Sequence, residues 1–124
     1  DAEILRLPCP GLVEYVEQGV LEGAELEAFL ANLFEPYQSH PVDCVVLGCT
    51  HYVFLRPLLR EILPENVQVL DGNEGTARQL RRVLTENDLL CARETPGKIT
   101  LETSGAPETV LPVMRRLLVR ADTL

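Results

Sequence analysis

A thiol, a hydroxyl and an imidazole occupy three consecutive positions, Cys49, Thr50 and His51, directly after Gly48. The apolar run before them, at 43–48, contains β-branched residues and has the length and composition of a strand covered on both faces. In open α/β sheets, ligands sit outside the carboxyl ends of the strands, where loops lead into helices. The pattern therefore predicts that Cys49 lies at a strand exit, where a ligand can reach its thiol.

Proton transfer is the chemistry that these residue types suit. A helix is predicted shortly after Cys49, and the positive end of a helix favours a thiolate over a thiol. His51, two residues further on, can supply a charge or exchange a proton with the sulfur. The sequence therefore indicates a reactive cysteine with an adjacent imidazole.

Three other interpretations of Cys49 stay open on the residues alone. Cysteine is among the residue types most often buried, so an inert structural thiol is the first. A metal site of Cys44, Cys49 and His51 is the second, although the spacing is loose for zinc and no second pair completes a tetrahedron. A Cys–His hydrolase is the third, although no orienting Asn or Asp is evident. His40, in a polar stretch, is most simply an exposed histidine.

Composition and charge limit the classes of partner. The 124 residues predict one compact domain, and 19 acidic against 11 basic residues give a formal charge of −8. That charge would repel a phosphate backbone, so nucleic acid is not a predicted partner. No apolar run is long enough for a membrane span, and no signal peptide is recognised. The scattered cysteines favour free thiols in a reducing cytoplasm, and the start at Asp1 rather than Met suggests a piece of a longer protein.

Apolar periodicity predicts an alternation of strands and helices. Helices are predicted at 12–18, 24–35, 55–63, 75–87 and 108–119. Strands are predicted at 2–7, 43–48, 67–71 and 98–103. Gly19 is predicted to end the first helix as a C-terminal cap. The expected fold class is α/β, with a mainly parallel sheet flanked by helices.

Four segments in order resemble the glutamate racemases of the aspartate/glutamate racemase superfamily. The motif LGCTHY, with the leucine-rich, proline-containing helix after it, resembles the second catalytic-cysteine motif of these enzymes. Further resemblances lie in CPGLVEYVEQG before the motif, and in VQVLDGNEGTARQLRRVL and KITLETSGAPETVLPVMRRLL after it. The resemblance extends through nearly the whole chain.

The resemblance implies the interconversion of L- and D-glutamate, supplying D-glutamate for peptidoglycan synthesis in the cytoplasm. Neither pyridoxal phosphate nor a metal is implied. One cysteine, as a thiolate, takes the α-proton of glutamate, and a second returns a proton to the opposite face. Because the pKa of cysteine lies near neutrality, both protonation states are accessible.

Roles are carried over residue by residue from the resemblance. Cys49 is one of the two acid/base thiols, Thr50 contacts a substrate carboxylate, and His51 assists Cys49. Glu17 matches an acidic residue that the family places near this histidine, with a solvated helix glutamate as the alternative interpretation. Of the other thiols, Cys9 is interpreted as structural. Cys44 and Cys91 match no residue to which the family gives a role.

Family motifs of the first half, an Asp–Ser–Gly loop and the segment with the other cysteine, are not found in this chain. Residues 1–124 are therefore predicted to be the C-terminal portion of a two-lobed racemase, inactive alone. In the turn at 71–75, Gly72 replaces the serine that the family often has, which leaves a polar role for that turn without support. Glutamate is the implied partner, and a homodimer is compatible with the family.

Two other functions stay open. Another superfamily enzyme, such as an aspartate racemase, a hydantoin racemase or a maleate isomerase, would carry a similar motif. A non-catalytic α/β domain that binds a dicarboxylate or a partner protein belongs to a different class.

Overall fold

A computed structural model of the chain describes residues 2–93 and 95–121. Its α-helices are α1 (Leu12–Glu17), α2 (Ala24–Phe34), α3 (Arg56–Ile62), α4 (Asn73–Glu86) and α5 (Pro107–Ala121). Its strands are β1 (Cys44–Val46) and β2 (Gln68–Leu70), and single turns of 3-10 helix cover Glu35–Tyr37 and Tyr52–Leu55. Each predicted helix is found close to its predicted bounds. Across the described ranges, no helix combines the length and the apolar character needed to cross a membrane.

Strands β1 and β2 run parallel, with Val45 beside Val69. The Leu47 N–H donates to the Leu70 carbonyl at 2.8 Å, so pairing continues one residue past the end of β1. A parallel pair with helices between and after its strands confirms the α/β fold class. The carboxyl ends of both strands lie side by side, and the loop with Cys49 begins at that edge.

The strands predicted at 2–7 and 98–103 are wrong, because both segments are irregular in the structure. Ile4 and Ile99, apolar residues of these two segments, are exposed. A strand is defined by hydrogen bonds to a neighbouring strand, and neither segment pairs with β1 or β2. Local apolar patterning carries no information about such a distant partner.

The prediction that β1 is covered on both faces is also wrong for this chain. Val46 is 71% exposed and Leu70, its partner in register, is exposed as well. Val69 is buried and Val45 is half-buried. One face of the strand pair therefore packs on the core, and the other is open to solvent.

The core lies between helices α1, α2 and α3 and one face of β2. Its buried side chains are Leu12, Val16, Leu21, Leu26, Leu30, Leu55, Leu58, Leu59 and Val69. Val53 and Leu55, just after the Cys49 loop, are both buried. Since full burial of such a side chain contributes roughly 1.5–3 kcal/mol, these two anchor the turn that follows Cys49.

A glycine ends helix α1, as predicted for Gly19. Its φ is +73°, its N–H donates to the Val16 carbonyl at 2.9 Å, and the Val20 N–H donates to the Tyr15 carbonyl at 2.8 Å. This pair of bonds is a Schellman motif, which needs a left-handed residue at this position. Glu17 is the last residue of α1, so the cap fixes the backbone from which its carboxylate extends.

Replacing Gly19 with alanine is expected to lower the free energy of unfolding by about 1–2 kcal/mol, because a Cβ disfavours the left-handed conformation. Gly75→Ala is the matched control. Gly75 lies inside helix α4 and an added Cβ there meets nothing within 4 Å, so alanine should stabilise by roughly 0.5–1 kcal/mol. Urea unfolding followed by circular dichroism measures both. A Gly19→Ala chain as stable as the unsubstituted one would contradict this account of the cap.

Candidate active site

The segment with the predicted site residues leaves β1 as a loop and closes in a turn. The Tyr52 N–H donates to the Cys49 carbonyl at 3.1 Å, and the 3-10 helix Tyr52–Leu55 follows. Helix α3 begins only at Arg56. The turn of 3-10 helix therefore lies between Cys49 and α3, whose start is within one residue of the predicted position.

Three of the predicted site residues come together in one row. The Cys49 Sγ lies 3.7 Å from the His51 Nδ1, within the range of a sulfur hydrogen bond. On the other side of the ring, the His51 Nε2 lies 3.5 Å from the Glu17 Oε1. Thiol, imidazole and carboxylate therefore follow one another in the order that an activated nucleophile or base requires.

The two contacts of the ring define how a proton can move through it. When the Cys49 thiol donates to Nδ1, the neutral ring carries its proton on Nε2, facing Glu17. Transfer of the thiol proton to Nδ1 then gives a thiolate beside an imidazolium. The Glu17 carboxylate opposes the positive charge of that imidazolium, as the acidic member of a catalytic triad does.

Solvent reaches all of these groups. The His51 and Glu17 side chains are 35% and 64% exposed, and Cys49 is half-buried. Ion pairs with this exposure contribute at most about 1 kcal/mol, because water screens them. Thr50, between Cys49 and His51 in the chain, is exposed.

Tyr52 is a neighbour of the site that the sequence did not single out. Its hydroxyl donates to the Cys9 carbonyl at 3.4 Å, which ties the site loop to the start of α1. Burial raises the pKa of Tyr52, and the charges of Cys9 and Cys49 add to that rise. The residue could have been suspected only from its place in the motif, next to His51.

Cys9 lies close enough to the site for Cys49 to influence it. Its Sγ donates to the Leu7 carbonyl at 3.2 Å. Burial raises the pKa of the Cys9 thiol, a hydrogen bond from Tyr52 opposes that shift, and the charge of Cys49 adds to it. Its structural role stays a prediction.

Neither of the remaining thiols takes part in the two contacts that form this row. Cys44 and Cys91 are exposed, and the Arg93 Nε donates to the Cys91 Sγ at 3.4 Å. Across residues 2–93 and 95–121, no three histidine, cysteine or acidic side chains are grouped as a metal site would need. His40 is exposed, as predicted, and its Nδ1 lies 3.2 Å from the Ser39 hydroxyl.

Solved structures of similar fold define the class of protein. The glutamate racemase of Francisella tularensis, in complex with D-glutamate, aligns with a TM-score of 0.75 over 90% of this chain and 42% of its own, at 23% identity. The glutamate racemase of Thermus thermophilus, in complex with β-chloro-D-alanine, aligns with a TM-score of 0.72 over 88% of this chain and 41% of its own, at 31% identity. The chain therefore has the α/β fold of part of a racemase.

Sequence comparison narrows that class. The chain is 38% identical to the glutamate racemase of Clostridium botulinum over 116 residues, 94% of its length. It is 43% identical to the glutamate racemase of Pseudomonas putida over 122 residues, 98% of its length. No family model matches it. This chain is a homologue of the glutamate racemases, which confirms the resemblance, and it spans about 45% of the length of these relatives.

The exposed and half-buried thiols should differ in reactivity. The hydrogen bond from Arg93 lowers the pKa of Cys91, whereas burial raises that of Cys9. At mildly alkaline pH, Cys91 therefore has the larger thiolate fraction, and iodoacetamide should alkylate it faster than Cys9. Arg93→Gln should raise the pKa of Cys91 and slow its alkylation, while Arg78→Gln, which removes an exposed pair with Glu74, should not. Peptide mass spectrometry measures the rates, and equal rates at the two thiols would contradict the assignment.

Proposed function

We propose that this chain is the C-terminal portion of a glutamate racemase and supplies one of its two acid/base thiols, Cys49. The observation that carries the proposal is the row of Cys49, His51 and Glu17, with separations of 3.7 and 3.5 Å. That row occurs in a chain that is homologous to glutamate racemases over nearly its whole length. Roles for these residues follow from what their chemistry can do.

The proposed reaction is a proton transfer at the α-carbon of glutamate. The Cys49 thiolate takes the α-proton from one face, and the electron pair left on carbon is delocalised into the adjacent carboxyl group. A thiol on the opposite face then donates its proton to that carbon, which inverts the configuration. In the reverse direction the two thiols exchange roles, so each must be able to hold and to lose a proton.

His51 and Glu17 prepare Cys49 for this step. The ring accepts the thiol proton on Nδ1 before the substrate is attacked, and returns it when Cys49 acts as the acid. Glu17 stabilises the imidazolium that exists between these events. Thr50, the exposed residue next to Cys49 in the chain, is proposed to bind a substrate carboxylate through its N–H and hydroxyl.

The opposite thiol and the cover of the site are proposed to come from a second α/β lobe. The chain exposes 9731 Å² of surface, whereas a folded monomer of 13.8 kDa is expected to expose roughly 6,600 Å². The open face of the strand pair, with Val46 and Leu70, contributes to this excess. A covering lobe would also exclude water from the row of three side chains and so strengthen its electrostatic interactions.

The biological role proposed with this activity is the supply of D-glutamate for peptidoglycan in the cytoplasm. No cofactor enters the proposed chemistry, because the thiols themselves hold and deliver the protons. A homodimer is the proposed assembly of the complete enzyme.

A chimera tests the function. When this chain replaces the matched segment of the Pseudomonas putida glutamate racemase, the product should form D-glutamate from L-glutamate. Cys49→Ser in the chimera should lower the rate by about 10²–10⁴-fold, since a positioned acid/base group contributes that much. Cys91→Ser is the matched control and should retain the rate, because Cys91 is exposed and takes part in neither contact of the row. Chiral chromatography of the glutamate measures all three.

The separate 124-residue chain, with one assigned base, should form no D-glutamate. A folded chimera that produces no D-glutamate would contradict the proposal, as would a Cys49→Ser chimera of full activity. Preferential formation of D-aspartate from L-aspartate would assign the chain to another enzyme of the superfamily.

A further inference from the structure

One ion pair near the site is shielded from solvent in a way that the surface pairs are not. The Arg56 Nη1 donates to the Asp71 Oδ2 at 3.0 Å, and the two side chains are only 24% and 10% exposed. The pairs Glu74–Arg78 and Arg82–Glu86 on helix α4 are largely exposed. Because water and salt screen exposed pairs much more, the Arg56–Asp71 contact holds its partners more firmly.

This pair closes the loop that carries the site. At the start of the loop, the Leu47 N–H donates to the Leu70 carbonyl at 2.8 Å. At the far end of the loop, the Arg56 side chain binds that of Asp71, the residue that follows Leu70. Both ends of the segment 47–56 are therefore fastened to two consecutive residues at the exit of β2, with Cys49 and His51 between them.

The carboxylate of Asp71 is itself held in place. Its second oxygen, Oδ1, accepts a hydrogen bond from the Asn73 N–H at 2.9 Å, at the first residue of helix α4. With one oxygen fixed by the backbone and the other by Arg56, the side chain has little freedom to rotate. The end of the loop is thereby held in position relative to the start of α4 as well as to β2.

The contacts inside the loop are sensitive to small displacements. The Cys49–His51 and His51–Glu17 separations, 3.7 and 3.5 Å, lie at the long end of useful contact distances. A shift of a fraction of an ångström would break either one. The buried side chains of Val53 and Leu55 hold the turn onto the core independently of Arg56, so loss of the pair should loosen the loop without unfolding the chain.

We propose that Arg56 and Asp71 are positioning residues that hold the loop in the geometry where His51 contacts both Cys49 and Glu17. They touch no reacting atom and act through the backbone of the segment 47–56. The inference rests on the proposed function, because it assumes that His51 promotes the reactivity of Cys49.

The test is the pH profile of iodoacetamide alkylation at Cys49, measured by peptide mass spectrometry on the 124-residue chain. His51→Gln should slow alkylation of Cys49 near neutral pH and change the shape of the profile. Asp71→Asn and Arg56→Gln should move the profile toward that of His51→Gln, slowing alkylation by about threefold or more, the scale of coupling within one network.

Three controls separate positioning from general destabilisation. Arg56→Lys, which keeps a cationic donor, should restore part of the rate. Arg82→Gln, which removes an exposed pair, should leave the profile unchanged. The exposed thiol of Cys44 should react at one rate in all variants. If Arg56→Gln unfolds the chain, the half-buried Cys9 becomes rapidly labelled, and the nearly isosteric Asp71→Asn carries the test.

The outcomes distinguish the positioning role of Arg56 and Asp71 from the assistance that His51 gives to Cys49. If His51→Gln changes the profile and Asp71→Asn leaves it unaltered in a folded chain, the positioning role is overturned and the proposed function stands. If His51→Gln itself leaves the profile unaltered, the assistance of His51 to Cys49 is overturned, and the positioning role with it.

Discussion

The contact of 3.7 Å between the Cys49 sulfur and the His51 ring is the interaction on which the chemistry proposed for this chain depends. A neighbour that can take and return the proton of a cysteine activates it as both acid and base. Three parts of the fold secure this contact and the carboxylate behind it. Strand β1 delivers the loop to the sheet edge, the buried Val53 and Leu55 fix the turn after it, and the glycine cap of α1 places Glu17 on the far side of the ring.

In the isolated chain, water weakens the electrostatic interactions among Cys49, His51 and Glu17. With His51 and Glu17 open to water, their attraction is screened and the developing charges are shared with solvent. The same geometry would act more strongly beneath a cover that removes water, where charge interactions strengthen several-fold. Exposed apolar residues are found on β1, β2 and helix α4. The exposed site and the exposed apolar residues both favour the proposed second lobe.

Sequence alone could predict what depends on neighbours in the chain. Helices followed from apolar spacing, and Gly19 marked the end of α1, because both are set by interactions within a few residues. The predictions of strands at 2–7 and 98–103 were wrong, since strand pairing depends on a partner that is distant in the sequence. In the site, Cys49 and His51 were visible together, but Glu17 was found only through the family resemblance. The Arg56–Asp71 pair was not predicted, because the two residues are 15 positions apart in the chain. No local pattern relates the first residue of a helix to the residue that follows a strand.

The position of the proton on the His51 ring tests the central claim most directly. A long-range proton–nitrogen correlation spectrum of the isotope-labelled chain distinguishes the two neutral tautomers. The contacts with Cys49 and Glu17 predict a neutral ring protonated on Nε2, with Nδ1 free to accept from the thiol, and a shift in the Nδ1 resonance on Cys49→Ser. A ring protonated on Nδ1, or a Nδ1 resonance that does not respond to the loss of the sulfur, would contradict the proton path described for this chain.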